Sequence, residues 1–253
     1  MATPQYTSNN NSTPMISGLA VQQGLYAESS TPEHSIGEKI ELDDGRVFRY
    51  AYTAAACAAG NVVSQDVSAT CVVEVDGKAT AAAIGATSVI LTDSGTLGSA
   101  TADQYKGAYL IITDDAGEGL QYRIKSNTAA STNAVTFTLY DPLIVAVTTD
   151  SDAAITGGLW WNVRPATAGT DYIMSGVTVI AMTANYYGWV QTAGICSVLS
   201  DTAIAIGDNL TLSDGVAGAV QLKDAETEPL FGFAAFAPDD TGHVQAVIQG
   251  LVA

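Results

Sequence analysis

Residues 41–64 read ELDDGRVFRYAYTAAACAAGNVVS, two strand-like runs joined by a short polar turn. Asp followed by Gly marks a hairpin corner, since both tolerate the positive φ of tight turns. Gly45 supplies that conformation, and Arg46 is placed to pair with an acidic neighbour. In the run that follows, Phe48, Tyr50 and Tyr52 fall on one face and Arg49 on the other, because a strand repeats every two residues. The alanines around Cys57 suit a close-packed stretch.

The same texture continues to the C-terminus. KIEL, ATCVVEV, SVILT, AYLIIT, QYRIK, AVTFTLY, LIVAVT, WWNVRP, GVTVIAMT, GWVQTAG, NLTLS, GAVQL and HVQAVIQGLVA are short runs rich in Val, Ile, Thr and aromatics. Gly, Asp, Asn and Ser separate them at the spacing of an all-β sandwich or barrel. Strict alternation in Thr136–Leu139 and Val244–Gln249 predicts one wet and one dry face. No segment sustains a 3.6-residue period, although Ala102–Lys106 suits a single turn.

Composition narrows the functional classes. The chain has 253 residues, enough for one large core or two small ones. It is 47% hydrophobic and 14% charged, against roughly 25% charged in an average soluble domain. Nine Lys+Arg against 26 Asp+Glu give a net charge of −17. Phosphate backbones repel such a surface, and the few basic residues are scattered, so direct nucleic-acid binding is not expected. There is no apolar run of about 18 residues to span a bilayer. The first basic residue is Lys39 and the N-terminus is polar, so no signal peptide is expected. The predicted protein is soluble and folds in a reducing cytoplasm. Cys57, Cys71 and Cys196 are odd in number and form no CxxC pair, which argues for small buried side chains over a disulfide or zinc site.

Residues 1–35 read as an extended N-terminal arm. The opening MATPQYTSNNNSTP has no charge and little to bury, so a partner would have to order it. The apolar patch that follows supplies Met15, Ile16, Leu19, Val21, Leu25 and Tyr26 as interface anchors, should the arm lie across a neighbouring subunit. Residues 76–165 read as a second small β-domain inserted into a main β-domain of residues 36–75 and 166–253. The insert opens on a Val-Asp-Gly-Lys turn and closes at Arg164–Pro165, where proline stops a central strand.

No catalytic signature emerges. His34 and His243 are the only histidines, one in the arm and one after an acidic turn, and both are expected to be solvated. Neither a nucleophile elbow nor a phosphate-binding glycine loop is present. Carboxylates cluster at Asp43–Asp44, Asp114–Asp115 with Glu118, Asp150 with Asp152, and Asp239–Asp240. None has EF-hand spacing, which leaves hairpin turns or weak calcium binding at a subunit junction. No cofactor is expected. Tyr186, Tyr187 and Trp189 surround Gly188 and are expected in a core or an interface. A carbohydrate-binding platform would instead need Trp160, Trp161 or Trp189 exposed.

Three stretches together carry a resemblance. GEKIELDDGRVFRYAYTAAACAAGNVVS, then ATADQYKGAYLIITDDAGEGLQYRIKSNTAA with FTLYDPL, then ANYYGWVQTAGICSVL with GDNLTLSDGVAGAV and LFGFAAF occur in order over residues 36–253. Each is weak alone. In this order they resemble capsid decoration (cement) proteins of tailed bacteriophages. The resemblance implies a barrel or sandwich domain, β-tulip-like, that binds the outer capsid surface of the virion after synthesis in the host bacterial cytoplasm. It also implies the major capsid protein as partner, a homotrimer, and no enzymatic activity. A head-fibre base or tail component is the alternative within the virion. The inserted domain departs from the simplest members.

Overall fold

In a computed structural model of the chain, residues 23–66, 72–93, 96–167, 173–236 and 242–248 are described. The protein is all-β, with sixteen strands and one 3-10 turn at Thr96–Ser99 among the described residues. The strands are β1 (Lys39–Glu41), β2 (Val47–Tyr52), β3 (Val62–Gln65), β4 (Val72–Ala79), β5 (Ser88–Thr92) and β6 (Tyr109–Asp114). They continue with β7 (Gln121–Asn127), β8 (Ala134–Leu139), β9 (Asp152–Thr156), β10 (Val163–Pro165) and β11 (Met174–Thr178). The last are β12 (Tyr187–Ser200), β13 (Asn209–Leu212), β14 (Val220–Leu222), β15 (Gly232–Phe236) and β16 (Gly242–Ile248).

Two compact units divide the chain, Met1–Asp66 with Asn162–Ala253, and Val67–Trp161. These seams differ from the expected 36–75, 76–165 and 166–253. Strand β4 runs through the expected boundary at 75/76 and pairs with β5 and β9 of the insert. At the other end β10 pairs with β3 of the main unit. Pro165 sits in that three-residue strand at the sheet's edge, where a missing N–H breaks no central ladder.

The main unit turns on β12. Its first half pairs with β2 on one side and β11 on the other, within the order β10–β3–β11–β12–β2–β1. From Gly194 to Ser200 it pairs with β16 instead. Strands β15, β13 and β14 follow, and β14 returns to β12 in parallel at Ser200 and Val220. The change of partner needs a break in the ladder, and β12 supplies a bulge between Gln191 and Ala193. Buried Gln191 serves that bulge, its Nε2 donating to the Ala193 and Ile195 carbonyls at 2.9 Å each. Gly194 follows at φ 86°, and a Cβ there would lie 3.0 Å from both Arg46 Cα and the Gly45 carbonyl oxygen.

The Asp43–Arg46 corner therefore lies against the bulge. Leu42 and Arg46 close it through an N–H to carbonyl bond of 2.9 Å, with Gly45 at φ 82° completing a three-residue loop. Asp44 accepts from the Arg46 backbone at 3.0 Å and from its Nε at 2.7 Å. Two cores form. Ile40, Leu42, Phe48, Tyr50 and Trp189 pack together beside β2. Cys196, Val198, Leu210, Phe231, Val244 and Ile248 anchor the other, beneath the β12–β16–β15 sheet.

The inserted unit is a closed barrel in the order β4–β5–β8–β7–β6–β9. Closure leaves it no exposed sheet edge, and Leu91, Leu110, Ile124, Phe137 and Ile155 fill it. Buried Asn127 ties down the 101–108 turns, accepting from the Tyr105 N–H at 2.8 Å and donating to the Thr101 carbonyl at 2.9 Å. LIVAVT, expected as a strand, is a loop after Pro142. Leu143 and Val147 plug the barrel while Ile144 and Val145 face solvent, and its ladder bonds run to Ala86 and Ala82.

Gly194→Ala adds strain from positive φ to a backbone collision and is expected to cost about 1–3 kcal/mol. Gly207 also has positive φ but open space around it, so Gly207→Ala is the milder control. Urea midpoints of the two variants check the difference; equal midpoints would refute the collision.

Candidate functional site

The most elaborated site is an aromatic cluster covered by residues 23–38. Tyr50 projects from β2, while Tyr187 and Trp189 project from β12, where Tyr187 lies opposite Tyr52 and Trp189 opposite Tyr50. The indole and the Tyr50 ring are 5.0 Å apart at 64°. Tyr187 stacks on Tyr50 at 6.1 Å and leans on Tyr52 at 4.8 Å. Such offset and edge-on pairs add about 0.5–1.5 kcal/mol each beyond their burial.

The covering segment is held as a strap. Gln23, nearly buried, accepts from the Tyr50 hydroxyl at 2.6 Å and donates to the Ala27 and Tyr187 carbonyls at 2.7 and 3.0 Å. Its own carbonyl accepts from the Trp189 indole at 3.2 Å. Ser29 and Tyr187 exchange backbone bonds, and the Glu28 carboxylate accepts from both Thr183 N–H and hydroxyl. Leu25 and Ile36 pack against the aromatic core. Gly188 lets Met182 approach, since a Cβ there would meet the Met182 methyl at 2.6 Å.

Two expectations are corrected here. Residues 23–35, assigned to the free arm, dock on their own main unit because Gln23, Leu25 and Ser29 find partners on β2 and β12. His34, expected to be solvated, has a side chain only 7% exposed. Its ring lies 5.1 Å from Tyr50 and 5.0 Å from Trp189. Nδ1 donates to Glu38 Oε1 at 3.1 Å, and Nε2 is buried without a partner. Glu38 also accepts from the Ser35 N–H at 3.1 Å. Ser35-x-x-Glu38 is capping-box spacing, a local signal that pointed to an ordered turn. Gln23 had no such signal, because its partners are up to 166 residues away.

The remaining predicted residues are dispersed. Met15, Ile16, Leu19 and Val21 lie outside the described residues, as do Cys71, Asp239 and Asp240. Tyr26 is 61% exposed, and Tyr186 and Tyr187 are half-buried. Trp189 is fully buried, which removes it as a glycan platform; Trp160 and Trp161 are half-buried. His243 donates Nε2 to the Ala59 carbonyl at 3.1 Å, and its ring stands where a Cβ at Gly60 would fall. Asp115 accepts from the Thr148 hydroxyl at 2.7 Å, and Asp114 stands opposite Asp152. No group of three potential metal-ligating side chains occurs among the described residues.

Electrostatics fit a packing site. Burial, joined by the nearby Glu33, Tyr187 and Glu38, pushes the Tyr50 phenol up to about 12 despite the Glu33 N–H donated to it. Burial alone pushes the Cys57 and Cys196 thiols up to about 12, so neither is a ready thiolate. No family model, curated protein or solved structure matches the chain.

Each of these three groups is neutral in the fold and ionises more readily when unfolded, at the ordinary values of 9.0 for the thiols and 10.0 for tyrosine. Their contribution to stability is complete below those values and is lost as pH rises toward about 12. Urea titrations should therefore show stability declining above pH 9, and less steeply above pH 10 in Tyr50→Phe. An unchanged slope would contradict the assignment. Separately, Gln23→Ala strips the Tyr50 hydroxyl of its acceptor and is expected to lower stability by about 1–3 kcal/mol in the same assay.

Proposed function

We propose that the chain is a structural virion protein of a tailed bacteriophage, binding the outer capsid surface and stabilising contacts between capsomers. Its partners in this reading are the major capsid protein and further copies of itself, as a homotrimer. The activity is binding and not catalysis. Many copies, each adding contact area across a seam, make opening of the shell improbable through avidity.

The observation that carries the reading is the use made of the resembling stretches. The hairpin within GEKIELDDGRVFRYAY and the strand within ANYYGWVQTAG lie far apart in the chain, yet pair from Tyr52–Tyr187 to Val47–Ala193. The residues of these stretches build a framework of glycines, aromatics and turn residues, which suits a structural role. The docked strap adds support. It anchors the chain at Gln23, directly after 22 uncharged residues whose composition suits contact with a neighbouring surface.

The purified protein is expected to co-sediment with phage shells that lack it. Deleting residues 1–22 should leave the urea midpoint unchanged and weaken shell binding by about tenfold or more. Imaging of particles from a phage lacking the gene separates the virion alternatives. Loss of surface knobs with tails intact supports decoration, and loss of tails identifies a tail component.

A further inference from the structure

The strands β12, β16 and β15 contain no Asp, Glu, Lys or Arg, in a chain that carries 26 acidic and nine basic residues. Side chains alternate across this sheet. Cys196, Val198, Ala234, Val244, Ala246 and Ile248 point into the core. The opposite face presents Ile195 beside Val247, Val247 beside Phe233, Ser197 beside Gln245, and Gln245 beside Phe236. Ile195 is 50% and Phe236 57% exposed. The bulge between Ala234 and Phe236 turns the Phe236 ring onto this face. His243 stands at the far end, engaged with Ala59.

We propose that this charge-free face is where a second copy of the chain docks. Charge complementarity selects this occupant. Two copies of net charge −17 repel each other, and burying carboxylates against carboxylates is costly. A self-contact is favoured where each copy offers apolar side chains and neutral polar ones, as Ile195, Phe236, Ser197 and Gln245 do. A basic partner would gain nothing on this face and would be drawn to the acidic remainder of the surface. Exposed apolar clusters on a sheet mark interaction sites, and strands without Asp, Glu, Lys or Arg set no like-charge repulsion against contact between copies.

Three strands about 4.8 Å apart, rising about 3.3 Å per residue, give a face of roughly 10 by 20 Å. That is below the roughly 800 Å² per partner of a standard interface, so association of the isolated protein is concentration-dependent. The proposal rests on the self-association in the functional reading above and assigns its surface.

Sedimentation velocity from micromolar to hundreds of micromolar is the test. The wild-type mass should rise to an integral multiple of the monomer. Ile195→Glu and Phe236→Glu should each raise the midpoint concentration at least about tenfold. Ile84→Glu, at a 68% exposed site on the inserted barrel, should leave it unchanged. A wild-type monomer throughout the range, or association indifferent to both variants, overturns the proposal. If the variants fail to fold by circular dichroism, hydrogen exchange of the wild type at the two concentration extremes decides. Extra protection in β15 and β16 supports the surface, and protection elsewhere alone overturns it. A monomer that still binds shells would overturn this surface but leave the virion reading standing. A multimer with the expected variant effects but no shell binding would do the reverse.

Discussion

Strand β12 has to satisfy two sheets with one stretch of backbone, and the main unit depends on how it does so. A regular strand keeps one neighbour on each side along its length. Here the neighbour changes from β2 to β16 near Gly194. The change leaves carbonyls out of register, and the Gln191 amide reaches two of them. Close approach of the Gly45–Arg46 corner then demands a residue without a side chain at Gly194. Unpaired carbonyls in that position would carry the full desolvation penalty, so the amide and the glycine serve one constraint.

The strap over Tyr50 and Trp189 solves a different problem. Tyrosine and tryptophan bring large apolar surface together with a polar tip that needs a partner when buried. Gln23 answers both tips, accepting from the phenol through its side chain and from the indole through its carbonyl. The residue that completes the aromatic core is thus also the point where the chain leaves toward residues 1–22.

Charge is distributed to match. In the inserted barrel, closure removes the edge on which a chain of this texture would otherwise aggregate. In the main unit, the strands β10 and β1 at the two ends of the sheet order have three residues each, one holding Pro165 and the other holding Lys39 and Glu41. Edge pairing is discouraged at both.

Much of the fold was legible in the sequence because it follows from local periodicity. The two-residue alternation of Phe48, Tyr50 and Tyr52, the Asp-Gly corner, and the scarcity of any helical period all reflect interactions within a few residues. Segment 143–148 departs from the expected strand for the same reason. An apolar run without alternation does not distinguish a strand from a loop whose first and fifth residues fill a barrel end. The burial of His34 and the latch at Gln23 had no counterpart in the local pattern. Each depends on Tyr50 or Trp189, brought close by strand pairing across more than a hundred residues. Residue chemistry and spacing determined by themselves that this chain would be β throughout, acidic, and turned by glycines. Tertiary structure alone decided which strands meet, where β12 changes partner and which aromatic is closed off from solvent. Those choices rest on contacts between residues far apart in the chain, to which a period of two is blind.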